Sequence, residues 1–396
     1  MAYTTIDDPS AHFQVLTYRG NSSSTTSADR TLTNEGNSNL QPDLLGLWNR
    51  DTGTNSGARW YDSSRGVGQN KGIQSSSNGL PGGGNDPEFG YVNTFHSDGF
   101  GVRAGANDGN GRWTTDRGEG GGDKYVAYQW KANGGSTTSV SESGSGNGGI
   151  NACTYQANTT AGFSIIKYTG HRGSGIGDNN HTNVTHGLSS APNFIIIKNL
   201  SINSNWLVGG HHIGEYSGPF ANRHMKLNST EARDGGDYVF NVAADSTYVY
   251  VGNNNEANGD GNSIIMYAFH DVQGYSKFGS YTGNAVNSNG PFVYTGFKPA
   301  FVLLKNMDAT EPWIMIDTKR NPGNPADKKL GVHSYSAENG VSGQGDANYN
   351  KIDILSNGFN MRQNNGASNG SGNTFMYMTF AEEPLVSSGG VPATAR

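Results

Sequence analysis

Apolar residues along the chain gather in short runs separated by long polar stretches, and the runs recur in a fixed order. The first is an aromatic segment closing on Tyr-x-Gly: FQVLTYRGN (Phe13–Asn21), FSIIKYTGH (Phe163–His171) and SKFGSYTGN (Ser276–Asn284). The second begins with proline and ends with asparagine: PDLLGLWN (Pro42–Asn49), PNFIIIKN (Pro192–Asn199) and PAFVLLKN (Pro299–Asn306). Its proline follows Tyr18, Tyr168 and Tyr281 by 24, 24 and 18 residues. Trp60, Trp206 and Trp313 then follow the asparagine by 11, 7 and 7 residues and are read as one repeated core position. The third is HSDGFGVR (His96–Arg103) and LSNGFNMR (Leu355–Arg362), with a degenerate middle copy, ADSTYVYV (Ala244–Val251). The fourth closes each set: YVAYQW ending at Trp130, IIMYAF ending at Phe269 and FMYMTF ending at Phe380.

Order, spacing and residue class recur together, which is the signature of tandem units. The expected organisation is a leader at 1–11, a first unit at 12–133, a Gly/Ser-rich linker at 134–159, further units at 160–273 and 274–387, and a tail at 388–396. FIIIK and FVLLK are continuous apolar runs of strand length, the pattern of a central strand covered on both faces. Proline cannot donate to a ladder and is expected at a strand's first residue or on an edge. The Asp-Gly and Asn-Gly pairs predict tight hairpins through positive φ at glycine. The expectation is an all-β protein of three tandem β-sandwich repeats, jelly-roll-like in winding. Tyr18, Tyr168, Tyr281, Trp130, Phe269 and Phe380 join the three tryptophans as its repeated core.

Composition agrees with strands joined by polar loops. Glycine supplies 59 of 396 residues, and the apolar and charged fractions are low at 33% and 15%. Aromatics at 10% and a net charge of −6 argue against a disordered chain, which is aromatic-poor and strongly charged. Glycine costs about 1 kcal/mol inside a helix, so helical architectures are disfavoured. No apolar run approaches the 18 or so residues of a membrane span, and MAYTTIDDPS lacks the basic and apolar regions of a signal peptide. Scattered lysines and arginines in an acidic chain do not predict a nucleic-acid partner. A single cysteine, Cys153, excludes an internal disulfide.

Candidate chemistry is sparse. Seven of the ten histidines (His171, His181, His186, His211, His212, His224 and His270) fall in the middle unit, yet without a metal-binding spacing. NNNEANGDGN (Asn253–Asn262) resembles a calcium loop in composition, but its twelfth EF-hand position is Ile265, and it is read as a solvated turn. The carboxylate pairs Asp86/Glu88, Asp234/Asp237 and Glu382/Glu383 carry no sign of converging in a cleft. No cofactor, metal or catalytic residue is expected. The candidate binding residues are Trp113 with its flanking Arg112 and Arg117, an exposed aromatic able to stack on a sugar or fill a partner's pocket.

MAYTTIDDPSAHF, FGSYTGNAVNSNGPFVYTGFKPAFVLLKN, KIDILSNGFNMR and FMYMTFAEEP closely resemble a repeat domain of marine bacteriophage virion proteins, especially the cyanophage type of tail fibre and particle-surface protein. The resemblance covers nearly the whole chain and implies a non-enzymatic virion structural protein working in symmetric multimers, with trimers the expectation by analogy with phage fibres. Its expected role is a tail-associated adhesin binding host polysaccharide or an outer-membrane protein. Capsid decoration is the alternative, and a polysaccharide-degrading spike is a third reading. Expected partners are other virion proteins and further copies of the chain.

Overall fold

The computed structural model describes residues 4–21, 29–51, 58–82, 89–105, 115–117, 122–144, 146–171, 180–213, 223–235, 238–240, 242–339 and 351–394. Strands account for 43% of the structure and helix for 2%, so the chain is all-β. Among the described residues, no helix is long and apolar enough to cross a membrane.

The first sandwich contains β1 (Phe13–Arg19), β2 (Asp29–Leu32), β3 (Leu44–Asn49), β4 (Arg59–Asp62), β5 (Ile73–Gln74), β6 (Tyr91–His96), β7 (Gly99–Arg103) and β8 (Lys124–Trp130). One sheet runs β1-β8-β3-β4-β5 and the other β2-β7-β6. The first strand pairs with the last and the second with the penultimate, which is a jelly-roll winding. Next come β9 (Thr138–Val140), β10 (Cys153–Asn158), β11 (Phe163–Thr169), β12 (His181–Thr185), β13 (Phe194–Asn199), β14 (Trp206–Gly209), β15 (Met225–Lys226), β16 (Tyr248–Gly252), a helical turn α1 (Asn255–Asn258) and β17 (Ser263–Phe269). Their sheets run β15-β14-β13-β17-β11-β10-β9 and β12-β16. The chain ends with β18 (Ser276–Thr282), β19 (Phe292–Tyr294), β20 (Phe297–Asn306), β21 (Ile314–Asp317), β22 (Ile352–Leu355), β23 (Gly358–Met361) and β24 (Thr374–Pro384). These form β18-β24-β20-β21 and β19-β23-β22, the same winding again.

Two sequence readings change here. Within 134–159, read from composition as a linker, β9 and β10 extend the middle sheet, with Tyr155 of β10 opposite Ile166 of β11. Gly/Ser content hid the alternation CTYQAN. Trp60, moreover, does not share a position with Trp206 and Trp313. It lies opposite Gly46, whereas the matching Ile196 and Leu303 face Val208 and Met315. Trp206 lies opposite Lys198, two residues along the ladder. Counting from asparagine misplaced Trp60 because the loop before it is longer.

The landmarks have physical causes. In all three sandwiches the landmark tyrosine donates its hydroxyl to a loop carbonyl: Tyr18 to Thr115 and Tyr281 to Ser368, each at 2.6 Å, and Tyr168 to Ala257. The glycine two residues later packs so closely that a Cβ would sit 2.0 Å from the Arg117 carbonyl oxygen at Gly20, and 2.2 Å from those of Gly259 and Gly370 at Gly170 and Gly283. The terminal Asn49, Asn199 and Asn306 each accept from the main-chain N–H two residues on, at 2.9 Å, forming an Asx turn that ends the strand. In the Asp-Gly hairpin Gly99 has φ +100°. Gly358 of the Asn-Gly hairpin lies outside the left-handed region, and there close approach decides: a Cβ would meet the Val293 carbonyl oxygen at 2.0 Å.

Strands β3, β13 and β20 are buried along their whole length. One face of each principal sheet covers its own small sheet, giving three private cores. The opposite faces meet in one shared core. At its centre Trp130, Phe269 and Phe380 touch pairwise, with centroids 5.8–6.4 Å apart. Phe13 stacks on Phe380 at 4.9 Å and Phe163 on Phe269 at 4.6 Å. The sandwiches thus surround a pseudo-threefold axis.

Hydrogen bonds close that ring. The Trp206 indole of the second sandwich donates to the Gln74 carbonyl of the first (2.8 Å), and Trp313 of the third to Lys226 of the second (3.0 Å). Trp48 of the first donates to Gly331 of the third (3.3 Å). Tyr267 reaches Asp62 and Tyr128 reaches Asp317, both at 2.8 Å. The third sandwich carries Met378 where the others have these tyrosines. The second sandwich has Gly210 at the position of Asp62 and Asp317 and so offers no aspartate there.

Candidate functional site

Arg112 and Trp113 lie outside the described residues. Arg117 is described, and its part is structural: its guanidinium lies 3.2 Å from the Asp123 carboxylate, and its main-chain N–H donates to the Tyr125 hydroxyl at 2.9 Å. It braces the loop that receives Tyr18. Of the remaining singled-out residues, Trp60, Trp206, Trp313, Trp130, Phe269, Phe380 and Tyr168 are buried, while Tyr18 and Tyr281 are partly buried.

The middle-unit histidines are dispersed. The His186 Nδ1 accepts from the Leu188 N–H (3.1 Å), so Nε2 carries the proton and donates to the Asp245 carbonyl (3.0 Å). Burial holds this ring below the ordinary histidine pKa. His171 pairs with Glu142 at 3.0 Å, and His211 packs edge-on against His212 at 5.2 Å. Among the described residues, no three His, Cys, Asp or Glu side chains gather to hold a metal ion.

The calcium-like stretch forms the turn α1, and its polar groups serve the backbone. Asn254 caps the Glu256 and Ala257 N–H groups at 2.8 and 3.1 Å. The Asn258 Oδ1 accepts from the His171 N–H at 2.9 Å, the anchor that follows Tyr-x-Gly. Of the carboxylate pairs, Asp86, Glu88 and Asp237 lie outside the described residues. Glu382 pairs with Lys298 at 3.3 Å. It also lines, with Glu383, Asp8 and Lys319, a groove of about 410 Å³ between the first and third sandwiches. Burial pushes the Asp8 carboxyl up, but hydrogen bonds from Ser10 and Ser38 outweigh it and hold the group below the usual range.

Two features escaped sequence reading. Lys198 and Lys305 are fully buried at the ends of β13 and β20. The Lys198 ammonium donates to the carbonyls of Asn199 and Ser204 (3.0 Å each) and across to Asn78 of the first sandwich (3.3 Å). Lys305 donates to Asn306 (2.7 Å) and across to Thr230 of the second (3.2 Å). Burial pulls both amines down to about 8. Each fastens its sandwich to the preceding one. Nothing in the sequence marks this tie, because only the assembled ring brings the neighbouring carbonyls to them. The second feature is on the surface: Phe292 and Tyr294 are 49% and 55% exposed. An aromatic pair in a strand pattern reads as core by default.

A family described as a domain of unknown function (DUF7483) matches residues 8–384. No curated protein and no solved structure matches the chain.

Proposed function

The chain belongs to the DUF7483 family, a domain of unknown function, and from its own residues and repeated motifs we propose that it is a structural protein of a bacteriophage particle, a tail-associated adhesin that presents outward surfaces to the host cell. The observation that carries this reading is how the sheets spend their faces. Each principal sheet covers a private core on one side and the shared aromatic core on the other. Buried Trp, Tyr and Lys ties join each sandwich to the next. Such a ring holds its loops and small sheets on a rigid frame, the arrangement in which loops carry binding. The resemblance of the repeated motifs to marine phage virion proteins supports the particle setting. The reading assigns no catalysis and no cofactor. Its partners are other virion proteins, further copies of the chain, and a host polysaccharide or outer-membrane protein.

The test is competition. Host cells preincubated with purified protein should adsorb fewer phage particles in a dose-dependent way. Undiminished adsorption, with no protein retained on the cells, contradicts the adhesin role.

A further inference from the structure

We propose that the outer face of the small β19-β23-β22 sheet is a saccharide-binding platform built on Phe292 and Tyr294. This rests on the host-surface reading above and names its ligand class. Burial settles which way the strands face. Val293, Phe359, Met361, Ile352 and Ile354 point into the third private core. The alternate positions therefore point outward. Register arranges them in two rows: Phe292 beside Asn360 and Asp353, and Tyr294 beside Gly358 and Leu355.

A solvated sheet face is ordinarily polar, and two half-exposed aromatic rings on neighbouring outward positions break that rule. They fill no core, since Val293 between them does so at 5% exposure. Gly358 keeps the surface open: a Cβ there would lie 3.2 Å from Phe292 Cε2. The polar groups alongside suit hydroxyl recognition. Oriented so that both ends of its amide are satisfied, Asn360 donates to the carbonyls of Pro291 and Gly290 at 3.1 and 2.9 Å, which holds the side chain in place beside Phe292. Asp353 is balanced by Arg362 at 3.3 Å, so the face offers hydrogen-bonding groups without net charge. Flat rings for C–H faces beside a charge-balanced carboxylate match a neutral sugar.

Area argues against a protein partner. A fully buried Phe or Tyr covers about 150–250 Å², so the half-exposed pair offers about 200 Å². A stable protein interface needs about 800 Å² per side.

Affinity electrophoresis of the full chain through gels containing neutral glucan, mannan or galactan tests this directly. Retardation is expected in at least one gel. The F292A/Y294A variant should bind on the order of tenfold or more weakly, and its melting temperature should match that of the parent. Tyr335→Ala, which removes another exposed aromatic ring (57%), should leave retardation unchanged. No retardation in any gel overturns the proposal, as does equal retardation of F292A/Y294A. Cell binding that survives periodate but is lost to protease overturns it in favour of a protein receptor. Failure of the particle reading would instead appear as absence of the chain from purified virions, with saccharide binding intact.

Discussion

Phe380→Ala tests whether the ring is one structure. Phe380 is 1% exposed and touches Trp130 of the first sandwich at 5.8 Å and Phe269 of the second at 5.9 Å. It also stacks on Phe13 at 4.9 Å. Truncating such a ring costs about 3–5 kcal/mol. Unfolding entropy near 60 °C is about 2.1 cal/mol/K per residue. A body of about 380 residues melting as a unit therefore has an entropy near ~0.8 kcal/mol/K, and a loss of ~4 kcal/mol lowers Tm by about 5 °C. A sandwich of about 110 residues melting alone has ~0.23 kcal/mol/K, and the same loss lowers its Tm by about 17 °C. Differential scanning calorimetry separates these cases. One endotherm should shift by a few degrees, with calorimetric and van't Hoff enthalpies in agreement. A split trace, with one-third of the enthalpy displaced by over ten degrees, refutes the shared core.

Other expectations follow from the buried polar groups. Lys198 and Lys305 have folded pKa values of about 8, below their unfolded value of about 10.4. The folded state therefore binds fewer protons between these limits, and stability should rise with pH from about 8 towards 10. Cys153, pushed up to about 11, opposes this from pH 9, and the buried tyrosines, raised well above 10, reverse it beyond that. Chemical denaturation across pH 7–10.5 checks the sign, and K198M/K305M should lose the rising limb. Tyr168→Phe leaves the Ala257 carbonyl without its partner and should cost about 1–3 kcal/mol by urea titration. Gly170→Ala forces a Cβ to 2.2 Å from the Gly259 carbonyl oxygen and should lower Tm more than Gly261→Ala, where nothing stands within 4 Å but φ is +70°.

Much of the architecture was legible because its causes are local. Tyr-x-Gly, Pro-run-Asn and the closing hexamers each mark a hydrogen bond, a close approach or a buried strand inside one sandwich. What lay hidden depends on the other sandwiches. The run FIIIK reads as covered on both faces, but nothing in it says that one cover is shared threefold. The ties of Lys198 and Lys305 depend on a carbonyl that a neighbouring sandwich supplies to each of them. Trp60 and Trp48 show the same limit: Trp48 makes the cross-sandwich bond that Trp206 and Trp313 make elsewhere. Loop length concealed the exchange of position. Phe292 and Tyr294 were passed over because apolar alternation identifies a strand without saying which face meets water.

The particle itself supplies the decisive measurement. Purified virions labelled with gold-conjugated antibody against the chain should show label confined to the tail, at a few copies per particle. Label spread uniformly over the head contradicts the adhesin assignment, and unlabelled particles contradict a virion role altogether.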